Sequence, residues 1–285
     1  MTAKNPPATL AAALNTVRQQ IQPTTDTPGL DAQVLLAHIC QRDKSWLLAH
    51  LEATLTPDQA DALEQSLDQL LEGTPLPYVL GEWEFFGRGF KVTPEVLIPR
   101  PETELLVETA LDWLHAHSDK RTAAEAGAGS GIISVSLAAE IPDLKISATD
   151  ISPPAAAITR ENAARYGLEH RISVQEDDLL TGQPGPFDLI AANLPYIPTQ
   201  TLRQLPVYQH EPALALDGGE HGLDLIERLL GQATTRLASG GMILLEIESS
   251  QGQAAASIAM REFPQAEIHV LPDLAGHPRL LVVQI

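Results

Sequence analysis

The stretch Glu125-Ala126-Gly127-Ala128-Gly129-Ser130-Gly131 decides the fold, because it lies between a predicted strand and a predicted helix. Glycines at such a turn let the backbone approach a ligand closely, and the following helix offers free N–H groups in its first turn. Ile132 follows the last glycine, so the pattern departs from the dinucleotide-binding fingerprint, and the Lys-Ser/Thr pair of a phosphate loop is missing. The stretch predicts a strand–turn–helix unit that binds a ligand, with an ordinary tight turn as the alternative.

The chain after Arg121 alternates short apolar segments with helical patterns. This alternation predicts an α/β fold in which helices wrap a mostly parallel sheet. The predicted strands are 121–126, 145–150, 172–176, 187–192, 242–247, 266–271 and 279–285. The predicted helices include 131–140, 154–166, 222–238 and 251–262.

The chain before this region is different in character. Residues 8–72 carry helical spacing throughout, and Thr56-Pro57-Asp58-Gln59 has the pattern of a capping box with proline at the first helical position. Aromatic residues broken by Gly87 and Gly89 then predict a β-hairpin. We therefore predict a helical bundle over 1–75, a hairpin linker over 76–100 and the α/β domain over 101–285.

Composition limits the possible partners. The net charge of −19 would repel a bare phosphate backbone, so a protein partner, or nucleic acid masked by protein, is favoured over naked DNA or RNA. The acidity could also reflect solubility or a salty habitat. We expect no signal peptide and no apolar run of the roughly 18 residues that a membrane helix needs, hence a cytoplasmic protein. The nine histidines lack metal-ligand spacing, so we expect no metal site.

Acidic residues follow the second and third predicted strands. Asp150 ends one strand, where a carboxylate can accept hydrogen bonds from both hydroxyls of a ribose. Asp177 and Asp178 follow the next, where a carboxylate could accept from an adenine amino group. The phosphates of a dinucleotide would be repelled by these acids and by Glu125, whereas a cationic sulfonium would be attracted. The set predicts S-adenosylmethionine as the cofactor.

The tetrapeptide Asn193-Leu194-Pro195-Tyr196 follows the fourth predicted strand. A planar amide or amino group is a poor nucleophile, because its lone pair is delocalised. Two acceptors on its N–H groups, the Asn193 side-chain oxygen and the Leu194 carbonyl, could hold it and stabilise the charge that develops on nitrogen. Pro195 restricts Leu194 to extended geometry, and Tyr196 would pack on the planar group. The motif therefore predicts methyl transfer to a planar nitrogen, with a plain turn as the alternative.

Several stretches together resemble one family, the release factor glutamine methyltransferases, also called PrmC or HemK. The resemblance implies a helical N-terminal domain, a hairpin linker and a seven-stranded, Rossmann-like methyltransferase domain. It also implies methyl transfer from S-adenosylmethionine to the glutamine of a Gly-Gly-Gln loop in peptide chain release factors. The stretches are 78–81, 85–87, 96–108, 125–131, 150, 177–178, 193–196 and 210–216.

The resemblance also implies roles for individual residues. The cofactor contacts would be Gly127, Ala128, Gly129, Ser130, Gly131, Asp150, Asp177, Asp178 and Asn193. Residues Asn193, Leu194, Pro195 and Tyr196 would hold the glutamine, and Arg100 and Glu104 would line the pocket. Leu194 replaces the first proline of the usual Asn-Pro-Pro-Tyr, a variant also similar to rRNA adenine dimethyltransferases, and Glu125 replaces the usual aspartate.

Three other functions stay open at this point. A ribosomal protein L3 glutamine methyltransferase would share the architecture, although the unbroken Arg-Pro-Glu-Thr-Glu over 100–104 favours the release factor branch. An adenine-N6 methyltransferase of DNA or RNA is disfavoured by the net charge and by the missing basic patch. A non-catalytic nucleoside-binding or NAD-binding module would leave 193–196 without a role. We expect a monomer that binds neither nucleic acid nor membrane.

Overall fold

The computed structural model describes residues 8–285, and the chain divides into two compact units after Gly81. The predicted absence of a signal peptide rests on residues that include 1–7, which lie outside the described residues. The boundaries predicted at residues 75 and 100 stay predictions. Within residues 8–285, the helices are all too short or too polar to cross a bilayer.

The first unit is a helical bundle, as predicted, and contains five helices. Its helices are α1 (Leu10–Ile21), α2 (Pro28–Cys40), α3 (Lys44–Ala49), α4 (Pro57–Leu71) and α5 (Leu76–Leu80). The capping box at the start of α4 is present: the Gln59 N–H donates to Thr56 Oγ1 at 3.2 Å, and the Thr56 N–H donates to Gln59 Oε1 at 2.9 Å. Apolar faces of the helices meet in one core that contains Leu10, Val17, Leu35, Leu47 and Leu70.

The second unit begins with the predicted hairpin. Strands β1 (Glu82–Phe85) and β2 (Arg88–Lys91) pair antiparallel, and Phe86 and Gly87 form the turn with φ of 49° and 68°. Two consecutive positive φ values match the right-handed twist of the strands. Phe85 and Phe90 are buried in a hydrophobic cluster that also contains Leu106. The hairpin therefore packs on the core of the second unit.

A seven-stranded sheet forms the centre of the second unit and confirms the predicted fold class. Its strands lie in the order β5-β4-β3-β6-β7-β9-β8, and all pairs are parallel except those made by β9. The strands are β3 (Thr122–Ala126), β4 (Lys145–Asp150), β5 (Ile172–Glu176), β6 (Phe187–Ala192), β7 (Leu237–Glu246), β8 (Glu267–Pro272) and β9 (Pro278–Gln284). The helices are α6 (Glu104–Ala116), α7 (Ile132–Glu140), α8 (Pro153–Arg165), α9 (Thr199–Leu202), α10 (Asp224–Ala233) and α11 (Gly252–Glu262).

Both faces of the sheet are buried at its central strand β6. Along β6, Leu189 and Ala191 belong to one hydrophobic cluster, whereas Ile190 and Ala192 belong to another. Successive side chains of a strand point to opposite faces, so a strand with helices on both sides is apolar at every position. This explains why the second half of β6 is a short, unbroken apolar run.

The region between α10 and β7 differs from the prediction. The helix predicted over 222–238 ends at Ala233, and β7 begins at Leu237 rather than at residue 242. Leu237 pairs with Phe187, and a β-bulge follows before Met242. A Cβ at Gly241 would lie 2.8 Å from the Ala238 carbonyl oxygen, so glycine is required at the bulge. Gly240 and Gly241 interrupt the apolar residues of β7, so the first half of the strand is not recognisable from an apolar pattern.

The topology fixes where a ligand can bind. β3 lies between β4 and β6, and the chain leaves β3 toward β4 before it returns to the other side as β6. In an open parallel sheet, such a reversal of strand order creates a crevice at the carboxyl ends of the strands. The glycine loop and Asn193 follow the carboxyl ends of β3 and β6 at this point, and Asp150 is the last residue of β4.

Candidate active site

A cavity of about 820 Å³ opens at this crevice, within the second unit. Its volume is in the range of small-molecule sites. Eleven of the predicted site residues line it: Arg100, Gly127, Ala128, Gly129, Ser130, Asp150, Asp177, Asp178, Asn193, Leu194 and Pro195. Gly131, Tyr196 and Glu104 do not belong to the residues that line the cavity. Most of the predicted site is therefore gathered around one space.

The glycine loop is tightly folded. Gly127, Gly129 and Gly131 have φ of 71°, 56° and 77°, which L side chains adopt only with strain. A Cβ at Gly127 would lie 2.9 Å from Leu194 Cδ2, and one at Gly131 would lie 2.7 Å from Thr159 Cγ2. The loop thus needs glycine both for its backbone angles and for its close packing against neighbouring elements.

Glu125 has a structural task beside the loop. Its Oε2 accepts hydrogen bonds from the N–H and the hydroxyl of Ser134, the first at 2.9 Å. Gly131 is the N-cap residue of α7 and has no side chain to offer, so Glu125 supplies the missing cap from β3. Burial raises the pKa of Glu125 to about 7. The longer side chain at this position is therefore used to reach the start of the helix, although Glu125 also lines the cavity.

Asp150 joins the loop to the second strand. Its Oδ2 accepts from the Gly129 N–H and its Oδ1 from the Ser152 N–H, both at 2.8 Å. Burial raises the pKa of this carboxyl group. Each carboxylate oxygen has a second lone pair, so Asp150 can accept two further hydrogen bonds from a ligand in the cavity.

Asp177 and Asp178 differ in how freely they can meet a ligand. Asp177 Oδ2 accepts from the Gly182 N–H at 2.7 Å and from Gln183 Nε2 at 3.0 Å, which ties it into the turn after β5. Asp178 forms an ion pair with Arg228, and both side chains are nearly half exposed. Exposed ion pairs contribute little free energy, so Asp178 can exchange its partner for a ligand.

Asn193 is held by a chain of hydrogen bonds. Its Nδ2 donates to Thr103 Oγ1 at 3.0 Å, and that hydroxyl donates to Glu246 Oε2 at 2.7 Å. Thr103 and Glu246 are buried, and burial raises the pKa of Glu246 to about 7. Within the part of the chain that the structure describes, Asn193 Oδ1 accepts no hydrogen bond. The side-chain oxygen of Asn193 is thus the group left for a ligand.

Tyr196, the last residue of the tetrapeptide, does not line the cavity. Burial, and then the charge of Glu246, raise the pKa of Tyr196 to about 12. Its carbonyl oxygen accepts from Gln251 Nε2 at 2.8 Å. A Cβ at Gly218 would lie 2.7 Å from the Pro195 carbonyl oxygen and from Tyr196 Cα, so the following loop packs directly on this backbone. The tetrapeptide is fixed from two sides.

Arg100 and Glu104 have different surroundings. Arg100 lines the cavity and forms an ion pair with the buried Glu211, whose other oxygen accepts from the Ile98 N–H at 3.1 Å. Glu104 Oε1 instead accepts from the Phe86 N–H at 3.0 Å, at the turn of the hairpin. In this structure Glu104 supports the hairpin.

Three buried residues of the site were missed at the sequence level: Thr103, Glu211 and Glu246. Thr103 and Glu211 lie inside stretches already recognised as motifs, and Glu246 lies near the end of a predicted strand. Their positions in motifs and near a strand end were signals that they belong to the site. Their roles could not be predicted, because their hydrogen-bond partners are far away in the chain. A hydrogen bond across more than 100 residues, such as that from Thr103 to Glu246, has no local pattern.

The cavity wall is strongly acidic. Its only basic side chains within residues 8–285 are Arg100 and Arg228, and both form ion pairs. Its acidic side chains are Glu95, Glu125, Asp150, Asp177, Asp178, Asp217 and Asp224. This charge favours a cationic ligand over one that carries phosphates. In the same residues, no group of three or more His, Cys, Asp or Glu side chains could hold a metal ion.

Solved structures support the fold. The 16S rRNA N2 G1207 methyltransferase of T. thermophilus, solved in complex with AdoMet and guanosine, aligns with a TM-score of 0.50. It is 16% identical, and the alignment covers 71% of this chain and 49% of that chain. At this identity the likeness supports the fold and nothing finer.

Sequence relatives are more informative. A family model described as "PrmC N-terminal domain" matches residues 12–81, and another described as "Methyltransferase small domain" matches residues 101–207. The release factor glutamine methyltransferase of Moorella thermoacetica is 43% identical over 274 residues, 95% of this chain and 96% of that protein. The protein of the same name from Koribacter versatilis is 39% identical over 264 residues, 90% of this chain and 91% of that protein. The chain belongs to the release factor glutamine methyltransferase family.

Proposed function

We propose that this protein transfers a methyl group from S-adenosylmethionine to the side-chain amide nitrogen of the glutamine in the Gly-Gly-Gln loop of peptide chain release factors. The chain is an S-adenosylmethionine-dependent methyltransferase of a family whose members carry this activity in their name. The observation that carries the proposal is the anchored Asn193, whose Nδ2 is bound to Thr103 and whose Oδ1 is left for a substrate.

The described residues fit the cofactor. The glycine loop lets its backbone come close to the ligand, and the free lone pairs of Asp150 suit the ribose hydroxyls. Asp178 can accept from the adenine amino group once it releases Arg228. The acidic wall attracts the cationic sulfonium. When bound, the cofactor supplies an electrophilic methyl group on sulfur.

The tetrapeptide 193–196 positions the glutamine so that its amide nitrogen can attack the methyl group. Asn193 Oδ1 and the Leu194 carbonyl accept the two N–H groups of the substrate amide and orient its nitrogen toward the methyl group. As the new N–C bond formed, the bond from sulfur to the methyl group would break and a neutral thioether would leave, while the two acceptors would stabilise the positive charge that develops on nitrogen. The nitrogen becomes acidic at that point, so one of its protons can leave to solvent and no general base is required. Alignment alone can contribute roughly 7–11 kcal/mol to such a reaction.

Leu194 replaces the first proline of the usual motif without loss of the required acceptor, because the acceptor is a backbone carbonyl, which either residue provides. Its side chain is buried and lies within van der Waals reach of the glycine loop at Gly127. Pro195 restricts Leu194 to extended geometry. We propose that Tyr196 keeps the backbone of the tetrapeptide in place, since its carbonyl oxygen accepts from Gln251 Nε2.

Several finer statements belong to the proposal. We propose that the enzyme acts as a monomer in the cytoplasm, where translation termination takes place, and that it binds no nucleic acid directly. The net charge of −19 supports the last point. A ribosomal protein L3 glutamine methyltransferase and an adenine-N6 methyltransferase are less well supported, since the curated relatives are named for release factors.

The proposal is tested by incubating the protein with labelled S-adenosylmethionine and three separate acceptors: a release factor, ribosomal protein L3 and an adenine-containing oligonucleotide. Label on the release factor alone, located by mass spectrometry on the glutamine of its Gly-Gly-Gln loop, is the expected result. Label on another acceptor and none on the release factor would refute the proposed substrate.

Asn193→Ala tests the role of the amide clamp. We expect turnover to fall below detection, because one of the two acceptors is lost, while the dissociation constant for S-adenosylmethionine stays within a few-fold. Gln253→Ala, which removes an exposed amide outside the cavity, is the matched control and should leave both unchanged. Normal turnover by Asn193→Ala would show that the residue has another role.

A further inference from the structure

One buried threonine connects the substrate clamp to the protein core. Thr103 is fully buried at the end of the 3-10 turn Pro101–Thr103, and its hydroxyl lies between Asn193 and Glu246. We propose that Thr103 is a positioning residue that orients the side-chain amide of Asn193 for the methyl-transfer reaction. The inference rests on the proposed function, since it assigns a residue that acts through the clamp.

The direction of the hydrogen bonds follows from the number of protons. A hydroxyl has one proton, and when the Glu246 carboxyl group is ionised it can only accept, so Thr103 donates that proton to Glu246 Oε2 at 2.7 Å. Thr103 Oγ1 can then only accept from its other neighbour, so Asn193 must present its NH2 group, at 3.0 Å. If the amide rotated by 180°, its oxygen would face the lone pairs of the hydroxyl in a buried place, which is unfavourable.

The orientation matters because the two ends of an amide have opposite chemistry. Asn193 Oδ1 can accept an N–H of the substrate, whereas the NH2 group would repel it and could not stabilise positive charge on nitrogen. Thr103 leaves only the oxygen for the substrate. A hydrogen bond to the protein core thus selects the one rotamer in which the clamp can work.

Neighbouring strands hold the participants in register. Ala192 at the end of β6 pairs with Leu245 of β7, so Asn193 and Glu246, the next residues of these parallel strands, follow side by side. Glu246 is 2% exposed, and burial raises its pKa, whereas the hydrogen bond from Thr103 and the charge of Arg279 lower it. The sheet therefore presents both partners of Thr103 from one edge.

Thr103→Val tests the role of the hydroxyl, because valine has nearly the same shape but can neither donate nor accept a hydrogen bond. We expect kcat for release factor methylation to fall about tenfold, equivalent to about 1.4 kcal/mol, as Asn193 samples both amide orientations. The KM for the release factor and the dissociation constant for S-adenosylmethionine should stay within about threefold. Thr103→Ser keeps the hydroxyl and should restore kcat to within about twofold of the wild type.

Thr109→Val is the matched control. Thr109 is partly buried on α6 and its hydroxyl donates to the Leu105 carbonyl, so the same substitution removes a hydrogen bond away from the clamp. It should leave kcat unchanged. If Thr103→Val does not fold, Thr103→Ala removes the same hydroxyl and takes its place.

The results separate the inference from the proposed function. If the wild type methylates no release factor, the proposed function fails whatever the variants do. If the wild type is active and Thr103→Val keeps its kcat within twofold, the positioning role is refuted. The role is also refuted if Thr103→Ser does not rescue kcat, or if cofactor affinity falls as much as kcat, since either result indicates a general loss of structure.

Discussion

Replacement of Gly131 by alanine should destabilise the second unit strongly. Gly131 is buried at the start of α7 with φ of +77°, and its added Cβ would lie 2.7 Å from Thr159 Cγ2. Thr159 cannot rotate its methyl group away without cost, because its hydroxyl donates to the Gly129 carbonyl at 2.8 Å. Relief of the clash would break a hydrogen bond that holds the glycine loop.

The size of the effect can be estimated from two contributions. A non-glycine residue with left-handed backbone angles costs roughly 1–2 kcal/mol, and overpacking in a dense interior costs roughly 1–3 kcal/mol. Gly131→Ala should therefore lower the free energy of unfolding by roughly 2–5 kcal/mol. For a unit that extends from Glu82 to Ile285, this corresponds to a decrease in Tm of roughly 10 °C.

Thermal and urea unfolding of the cofactor-free protein, followed by circular dichroism, would measure this difference. Gly167→Ala is the matched control: its φ is +68°, but its Cβ would meet no atom within 4 Å. Gly167→Ala should lower the free energy of unfolding only by the contribution of the backbone angles, roughly 1–2 kcal/mol. Thr159→Ser removes the clashing methyl group and keeps the hydroxyl, so in that background Gly131→Ala should cost no more than Gly167→Ala.

Two outcomes would refute the reasoning. Equal destabilisation by Gly131→Ala and Gly167→Ala would show that the contact with Thr159 adds nothing. A cost of Gly131→Ala that is unchanged in the Thr159→Ser background would show that the clash is relieved elsewhere.

Two further predictions concern buried polar groups. Burial raises the pKa of Glu125 from its ordinary 4.5 to about 7, so the folded state retains the proton and loses stability as the pH rises from about 4.5 to about 7. The wild type should therefore lose free energy of unfolding between pH 5 and pH 8, whereas Glu125→Gln, which has no proton to lose, should not. Measured by urea unfolding, the free energy of unfolding of Glu125→Gln relative to that of the wild type should rise by up to roughly 3 kcal/mol over this range. A difference that stays constant with pH would contradict this. Asn162 accepts from the Lys91 N–H at 2.8 Å and donates to the carbonyls of Lys91 and Ser130, so Asn162→Ala should cost roughly 2–4 kcal/mol. Hydrogen exchange at the Lys91 amide should then accelerate, and unchanged exchange would exclude this role.

The fold could be predicted from local patterns to a large extent. The parallel strands, the capping box of α4 and the hairpin around Gly87 all depend on residues close together in the chain, so spacing and turn chemistry identified them. The first half of β7 was missed, because Gly240 and Gly241 occupy its bulge and interrupt the apolar pattern.

The candidate site was predictable where a residue follows the carboxyl end of a parallel strand. Asp150 and Asn193 are in that position, and both line the cavity. The partners that fix them were not predictable, since Thr103 lies 90 residues from Asn193 and 143 from Glu246 in the chain. The helix-capping role of Glu125 is also a product of packing, because it requires the start of α7 to fold back beside β3.

The position of β9 has a consequence for biosynthesis. β9 lies between β7 and β8 in the sheet, yet β8 precedes it in the chain, and among the described strands β9 is the only one that pairs with β8. A nascent chain leaves the ribosome in sequence order, so β8 emerges before the strand it needs. Until β9 follows, the edge of β7 exposes unpaired backbone groups that can recruit other chains. The pairing of β8 with the sheet must therefore await β9, when β8 and β9 can add together.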